Sequence, residues 1–441
     1  MTVRDEGPRR ARRETLKRII KSLHAGGAPA EARSELRALL RAATADDIAG
    51  MEQELIAEGM TVEEIQSMCD LHASLAREIL GAPPAPCLAP GHPLDTFKFE
   101  NEALRDRLHA VRRIMKAVLA SENPAERSGR VRSWREAAAG LLEVERHYRR
   151  KEQLLFPMLE RHGFTGPAAV MWGKDDEARG LLKAFMQGLE GLTALPGDDR
   201  ALSATTAEPA LSALEEMIAK EEQILFPLAQ EKLSAEEWGE IWREAPEYGW
   251  CLVVPREGYR PPGEETAVQP SAVSAAEAAS GARGAGEGGA AGASEAAGDG
   301  GLALETGRLS AAQLREILVV LPVDFTFVDA DDRVAFFSPG RERIFGRSPA
   351  LLGRKVQQCH PPKSLAVVEK IIADFRSRRQ NTAEFWIDLA GRFVHIRYYA
   401  LHAANGAYLG TLEVTQDATR VRSLSGERRL LHYEQPDFPQ S

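Results

Sequence analysis

The stretch HYRRKEQLLFP at 147–157 returns seventy residues on as MIAKEEQILFP at 217–227, with the same Glu-Gln-apolar-Leu-Phe-Pro ending. Imidazole and carboxylate groups three or four residues apart share one face of a helix. Several helices aiming such groups inward can hold divalent metal. One copy opens on His147 and the other on Met217. The repeat therefore describes either a metal site built from two halves or a scaffold without one. A second chemically distinctive stretch is CHPPK at 359–363. Cys359 and His360 could ligate heme or metal, or Cys359 could be a redox-sensitive thiolate favoured by Arg354, Lys355 or Lys363. In the structural alternative, Pro361 and Pro362 shape a helix entry while Cys359 packs.

Helices must carry the repeat. Between 94 and 245 the apolar spacing predicts four long amphipathic helices, near 95–121, 128–162, 168–192 and 207–231, with a short one at 234–244. Short connections make neighbours antiparallel, as in an up-and-down four-helix bundle. Pro157 and Pro227 would kink the last turns of the second and fourth helices. Upstream, residues 13–80 read as a small helical domain behind a flexible tail at 1–12. Thr44 and Thr61 stand as helix starts, each with acids in the following turn. The prolines of GAPPAPCLAPGHP end it. Residues 262–305, rich in Ala, Gly, Ser and Glu, form a linker without core-building side chains. Beyond it the period shifts towards two. DFTFVDADDRVAFFSPG reads as strand, turn, strand, followed by a helical patch around RERIFG, a helix near 363–378, and three strands with turns at Gly391 and ANGA. Residues 310–425 are thus an α+β domain with helices on one face of an antiparallel sheet, and 426–441 a tail.

The chain has 441 residues, so several domains are expected, and its net charge of −9 argues against a sequence-independent nucleic-acid binder. No apolar run is long enough to span a membrane, and the N-terminus lacks the apolar region of a signal peptide. Four scattered cysteines, Cys69, Cys87, Cys251 and Cys359, fit a reducing cytoplasm rather than a disulfide framework. The reading is a cytoplasmic protein. No phosphate loop, nucleophile elbow or His-Glu-x-x-His pattern appears, nor any kinase or cyclase signature, so the chain is not expected to be an enzyme.

Three segments resemble known families. HYRRKEQLLFPMLERHG, VMWGKDDEARGLL and EEMIAKEEQILFPLA, within 91–245, resemble the hemerythrin-like (HHE) cation-binding family, a four-helix bundle. DFTFVDADDRVAFFSPGRERIFGRS, LLGRKVQQCHPP and GTLEVTQDATRVRSL, within 318–422, resemble a PAS domain, with Asp417 and Thr419 in place of its closing Asp-x-Thr junction. Residues 13–80 resemble the domain of unknown function 438, which commonly precedes this pairing. The hemerythrin resemblance implies a His on each helix and a Glu four residues later on helices two and four. Here Lys151 stands four after His147, and Met217 stands four before Glu221. The acid-rich ligand set that remains is His92, Asp95, His147, Glu152, Asp175 and Glu221 or Glu222, fit for di-iron or another divalent metal. Lys151 would then have to point away. Alternatively the inward polar groups satisfy one another, with His147 paired to Glu143. The PAS resemblance implies a ligand pocket or dimerising surface. Phe325, Phe327, Phe336 and Trp386, with Phe345 and Phe385, are its candidate lining or simply its core, and Cys359 and His360 are its ligand candidates. Heme or another small ligand there has no motif behind it. Together the resemblances imply a sensor of oxygen, nitric oxide or redox state that signals to a protein partner, homodimerising through the PAS-like domain. An iron-handling or nitrosative-stress repair protein and a metal-free scaffold are the alternatives.

Overall fold

The computed structural model describes residues 13–19, 45–62, 64–66, 88–121, 123–192, 202–262, 302–304, 306–339 and 343–427. The helix start at Thr44, the cysteines Cys69 and Cys87, and nearly all of the linker and tail expected from composition lie outside them. The chain divides into two units, one of 1–288 with Ser348–Ala366, the other of 289–347 with 367–441.

In the first unit, helix α1 (Ala45–Ala57) and the helical residues 13–19 form a small core of Leu16, Ile19, Ile48, Met51, Leu55 and Ile65, closed by Val170 and Ile224. Thr61 begins the next turn as expected: its hydroxyl accepts from Glu64 N, and Glu64 Oε2 accepts from Thr61 N. Four long helical runs follow. The first is α2 (Pro93–Leu119). The second passes through α3 (Pro124–Ala139), a 3-10 turn (Gly140–Glu143), α4 (Val144–Arg150), a π turn (Lys151–Leu155) and α5 (Phe156–Arg161). The third is α6 (Thr165–Gly191). The fourth runs through a π turn (Ser203–Ala207), α7 (Glu208–Lys220), a second π turn (Glu221–Leu225) and α8 (Phe226–Lys232). Each run packs on the next and the last returns to the first. They enclose one core that includes Phe97, Trp134, Phe156, Phe185, Met217 and Phe226.

The two copies of the repeat do more than end in a proline kink. Each opens a π turn at its fifth residue, with Phe156 N donating to Lys151 O and Phe226 N to Glu221 O. Pro157 and Pro227 have no N–H for the regular ladder, and a one-residue widening just before them re-aims the turn. A capping box at Ser234 and Glu237 starts α9 (Ala235–Glu244), which runs into the 3-10 turn Ala245–Tyr248. The chain from Gly249 to Pro261 then runs back past the start of α2. Gly91, at φ +79°, allows this: a Cβ there would lie 2.0 Å from Arg256 O.

The second unit is α+β. A two-stranded ribbon, β1 (Leu302–Leu304) with β2 (Gly307–Leu309), precedes α10 (Ala311–Val320). The main sheet takes β3 (Asp324–Asp329), β4 (Val334–Phe337), β5 (Thr382–Leu389), β6 (Arg392–His402) and β7 (Tyr408–Asp417) in the antiparallel order β4-β3-β7-β6-β5. Helix α11 (Pro362–Arg376) precedes β5, and α12 (Thr419–Ser423) follows β7. Asp417 Oδ1 accepts from Thr419 N, and Thr419 Oγ1 from Phe393 N, which ties the closing Asp-x-Thr junction to β6. The helical patch expected around RERIFG is absent over its described residues 343–346. There Ile344 N donates to Asp324 Oδ2 rather than to a helical carbonyl.

Candidate functional site

The inward groups of the bundle meet at the level of the two repeats. On α2, Phe97, Glu100, Asn101, Leu104 and Leu108 share the buried face. On the second run Val144, His147, Tyr148, Lys151 and Leu155 do the same. Lys151, at 0% exposure, donates from Nζ to Asp175 Oδ1 at 2.7 Å and to Glu221 Oε1. His147 has Glu100 Oε2 2.8 Å from Nδ1 and Glu221 Oε2 3.1 Å from Nε2. Asn101 Nδ2 donates to Glu221 Oε2 at 3.0 Å. Arg150 donates from Nη2 to Glu100 Oε1, which also accepts from Cys251 N at 2.8 Å. Three carboxylates (Glu100, Asp175, Glu221) thus alternate with Arg150, His147 and Lys151 in one buried chain.

Electrostatics follow from that alternation. Burial opposes a charge on His147, but Glu221 and Glu100 on either side outweigh it and raise its pKa. Carboxylate acceptors at both ring nitrogens make the imidazolium, with two N–H donors, the matching form. Burial likewise opposes ionisation of Glu221, yet Lys151 and then His147 bring it down to about 2. Asp175 is different: burial, larger than the pull of Lys151, pushes it up to about 6. With His147 charged the chain balances three positive groups against three negative ones.

Of the residues expected to ligate metal, His147, Asp175 and Glu221 come together. The other candidates lie elsewhere. His92 caps α2, its Nδ1 accepting from Leu94 N at 3.1 Å, and its ring packs against Trp238 and Tyr259. Asp95 accepts from Gly91 N and faces Arg256. Glu152 is held by both Nη atoms of Arg179, and burial, despite Arg179, pushes it up to about 8. Glu222 pairs with Arg105. His147 pairs with Glu100 and Glu221 rather than Glu143, which binds Arg146 instead. Lys151 points inward rather than away, because Asp175 and Glu221 offer it a buried counter-charge. Glu100, Asn101 and Arg150 were not among the candidates. The signal for Glu100 and Asn101 was their place in the apolar stripe of α2.

This donor set does not fit a di-iron centre. The one imidazole has a carboxylate at each nitrogen, Met217 is core, and the ammonium of Lys151 fills the space between Asp175 and Glu221. Among the described residues no group of three or more His, Cys, Asp and Glu could hold a metal ion.

Of the candidates on the PAS-like segment, Phe325 and Phe327 lie half-buried on β3, on the face opposite buried Asp324, Thr326 and Val328. Phe336 and Trp386 are exposed, Trp386 by 62%. Phe336 stands on β4 and Trp386 on β5, the two edge strands of the sheet. Cys359 and His360 belong to the first unit. The Cys359 thiol donates to Lys355 O, and His360 Nδ1 lies 2.9 Å from Val356 O. Both close the 3-10 turn Val356–Cys359 before α11.

Three family models match the chain: the hemerythrin HHE cation binding domain over residues 92–229, a PAS domain over 314–419, and a family of unknown function (DUF438) over 16–81. These are the three families its motifs resemble. Domains of the hemerythrin type commonly bind metals such as iron, and PAS domains commonly mediate protein interactions and dimerisation. No curated protein matches the chain. A solved structure described as the crystal structure of a C-terminal domain from Streptococcus mutans is similar at 32% identity, covering 29% of this chain and 98% of that one, with a TM-score of 0.28. Among the described residues no helix is long and apolar enough to cross a membrane.

Proposed function

We propose that the chain is a non-enzymatic cytoplasmic sensory protein whose bundle answers a small ligand without a resident di-iron centre. The PAS-like module passes the response on by protein contact, including contact with a second copy of the chain. The observation that carries this reading is the Lys151 ammonium seated between Asp175 and Glu221, a built-in cation where a bundle of this family would place metal. Oxygen and nitric oxide, as ligands of iron, need an open coordination position, which this donor set does not offer. A ligand that acts on the charged chain itself is therefore favoured. The exposed apolar side chains of β5, Phe385, Trp386 and Ile387, support the contact role.

The test is metal analysis with an optical spectrum on full-length protein purified without oxygen. The expected result is iron well below one equivalent and a spectrum unchanged on admitting oxygen. Stoichiometric iron with an oxygen-dependent charge-transfer band would overturn the metal-free reading and restore the iron alternatives.

A further inference from the structure

Beside the buried chain of charges lies a cavity of about 890 Å³. Its walls are the start of α2, the end of α9 with its 3-10 turn, and the returning segment up to Pro261. Its lining side chains are predominantly basic, although Glu100 holds Arg150 and Asp95 faces Arg256 from behind the wall. Four arginines line it, Arg150, Arg243, Arg256 and Arg260, and among the described lining residues Glu257 is the one carboxylate, in a chain of net charge −9. Concave, locally positive surfaces concentrate anions. Arg243, Arg256 and Arg260 are exposed at the rim, whereas Arg150 is only 1% exposed. Its Nε is buried with no hydrogen-bond partner among the described residues. A buried donor of this kind is rare in native structures. The guanidinium lies over Trp250, 4.7 Å from the ring centroid, and Trp242 also lines the cavity.

We propose that this cavity binds a small organic anion bearing a flat ring, an aromatic carboxylate or phosphate monoester. The anionic group is drawn to the arginines and the ring lies among the tryptophans. A bare inorganic anion would leave most of this volume unfilled, and the size is that of ordinary small-molecule sites. The site deepens the sensory reading by naming a ligand class, and it has a direct route to the charged chain. Arg150 and His147 hold the two oxygens of the same carboxylate, Glu100. A ligand that draws Arg150 away leaves Glu100 to His147 and the Cys251 N–H, and removes the one cationic partner of that carboxylate besides His147.

The experiment is calorimetric and tryptophan-fluorescence titration of the full chain with phenyl phosphate and benzoate, with inorganic phosphate as comparison. Saturable binding of at least one aromatic anion is expected, at least tenfold tighter than inorganic phosphate, with a change in tryptophan emission. Arg256→Glu and Arg260→Glu, both at exposed positions, should each weaken it about tenfold or more, and Arg150→Gln should abolish it. Circular dichroism on each variant separates lost binding from lost fold. Absence of saturable binding by both aromatic anions, equal binding of inorganic phosphate, or affinities indifferent to the rim variants would overturn the proposal. Those outcomes leave the metal-free reading standing, since that depends on iron content.

Discussion

At the residue scale, Lys151 is held at the centre of the bundle by two carboxylates that need it as much as it needs them. Removing one partner of a buried pair strands the other's charge, at a cost of about 3–5 kcal/mol. Lys151→Met, which keeps the volume but leaves Asp175 and Glu221 facing each other, should lose that much in urea unfolding. A loss below about 1 kcal/mol would show that the ammonium is incidental. The same groups set a pH dependence. Glu152, Asp175 and His147 all hold protons in the folded state that the unfolded chain has released. Their contribution is therefore present at low pH and lost as pH rises, for Glu152 over the window from 4.5 to about 8. Glu221 works the other way, losing its contribution as pH falls from 4.5 to about 2. The thermal midpoint should be highest near pH 5 and fall towards pH 8, and Glu152→Gln should flatten part of that fall. His147, Asp175 and Glu221 were legible in the sequence because imidazole and carboxylate in an apolar stripe suggest ligation. Lys151 was legible only as an irregularity, since spacing alone does not say whether a long side chain turns in or snorkels out.

At the scale of elements, the repeat located the second and fourth helical runs, and the apolar period found the first and third. The π turns escaped, because their only trace in sequence is the proline that follows, and a proline reads equally well as a simple kink. The segment after α9 was not assigned at all: GWCLVVPREGYRPP has neither helical nor strand period, and it is placed by long-range contacts such as Cys251 N to Glu100. Gly91 is the point at which that segment passes the start of α2. Gly91→Ala puts a Cβ into Arg256 O and forces a left-handed φ on alanine. A destabilisation of about 1–3 kcal/mol is expected, with faster amide exchange in 249–261 than in the bundle core. Uniform exchange across both would show that the segment is not tied there.

At the scale of the whole molecule, composition and periodicity separated an all-α part from an α+β part, because a switch from period 3.6 to period 2 survives without tertiary information. The assignment of Ser348–Ala366 to the first unit was not legible, since that depends on packing between residues remote in sequence. Exposed Phe385, Trp386 and Ile387 on the edge strand β5 should make the full chain self-associate. Trp386→Asp should weaken the dimer at least tenfold in sedimentation equilibrium, and an unchanged dimer would move the contact elsewhere. Residues 151 and 221 occupy the same place in the two copies of the repeat, yet one is a base and the other an acid. Two copies of the first hairpin would bring two ammonium groups together at the centre, and two copies of the second would bring two carboxylates. Separated halves should therefore recombine only with each other, as lock and key, and mixing tagged half-proteins should yield mixed pairs and no like pairs.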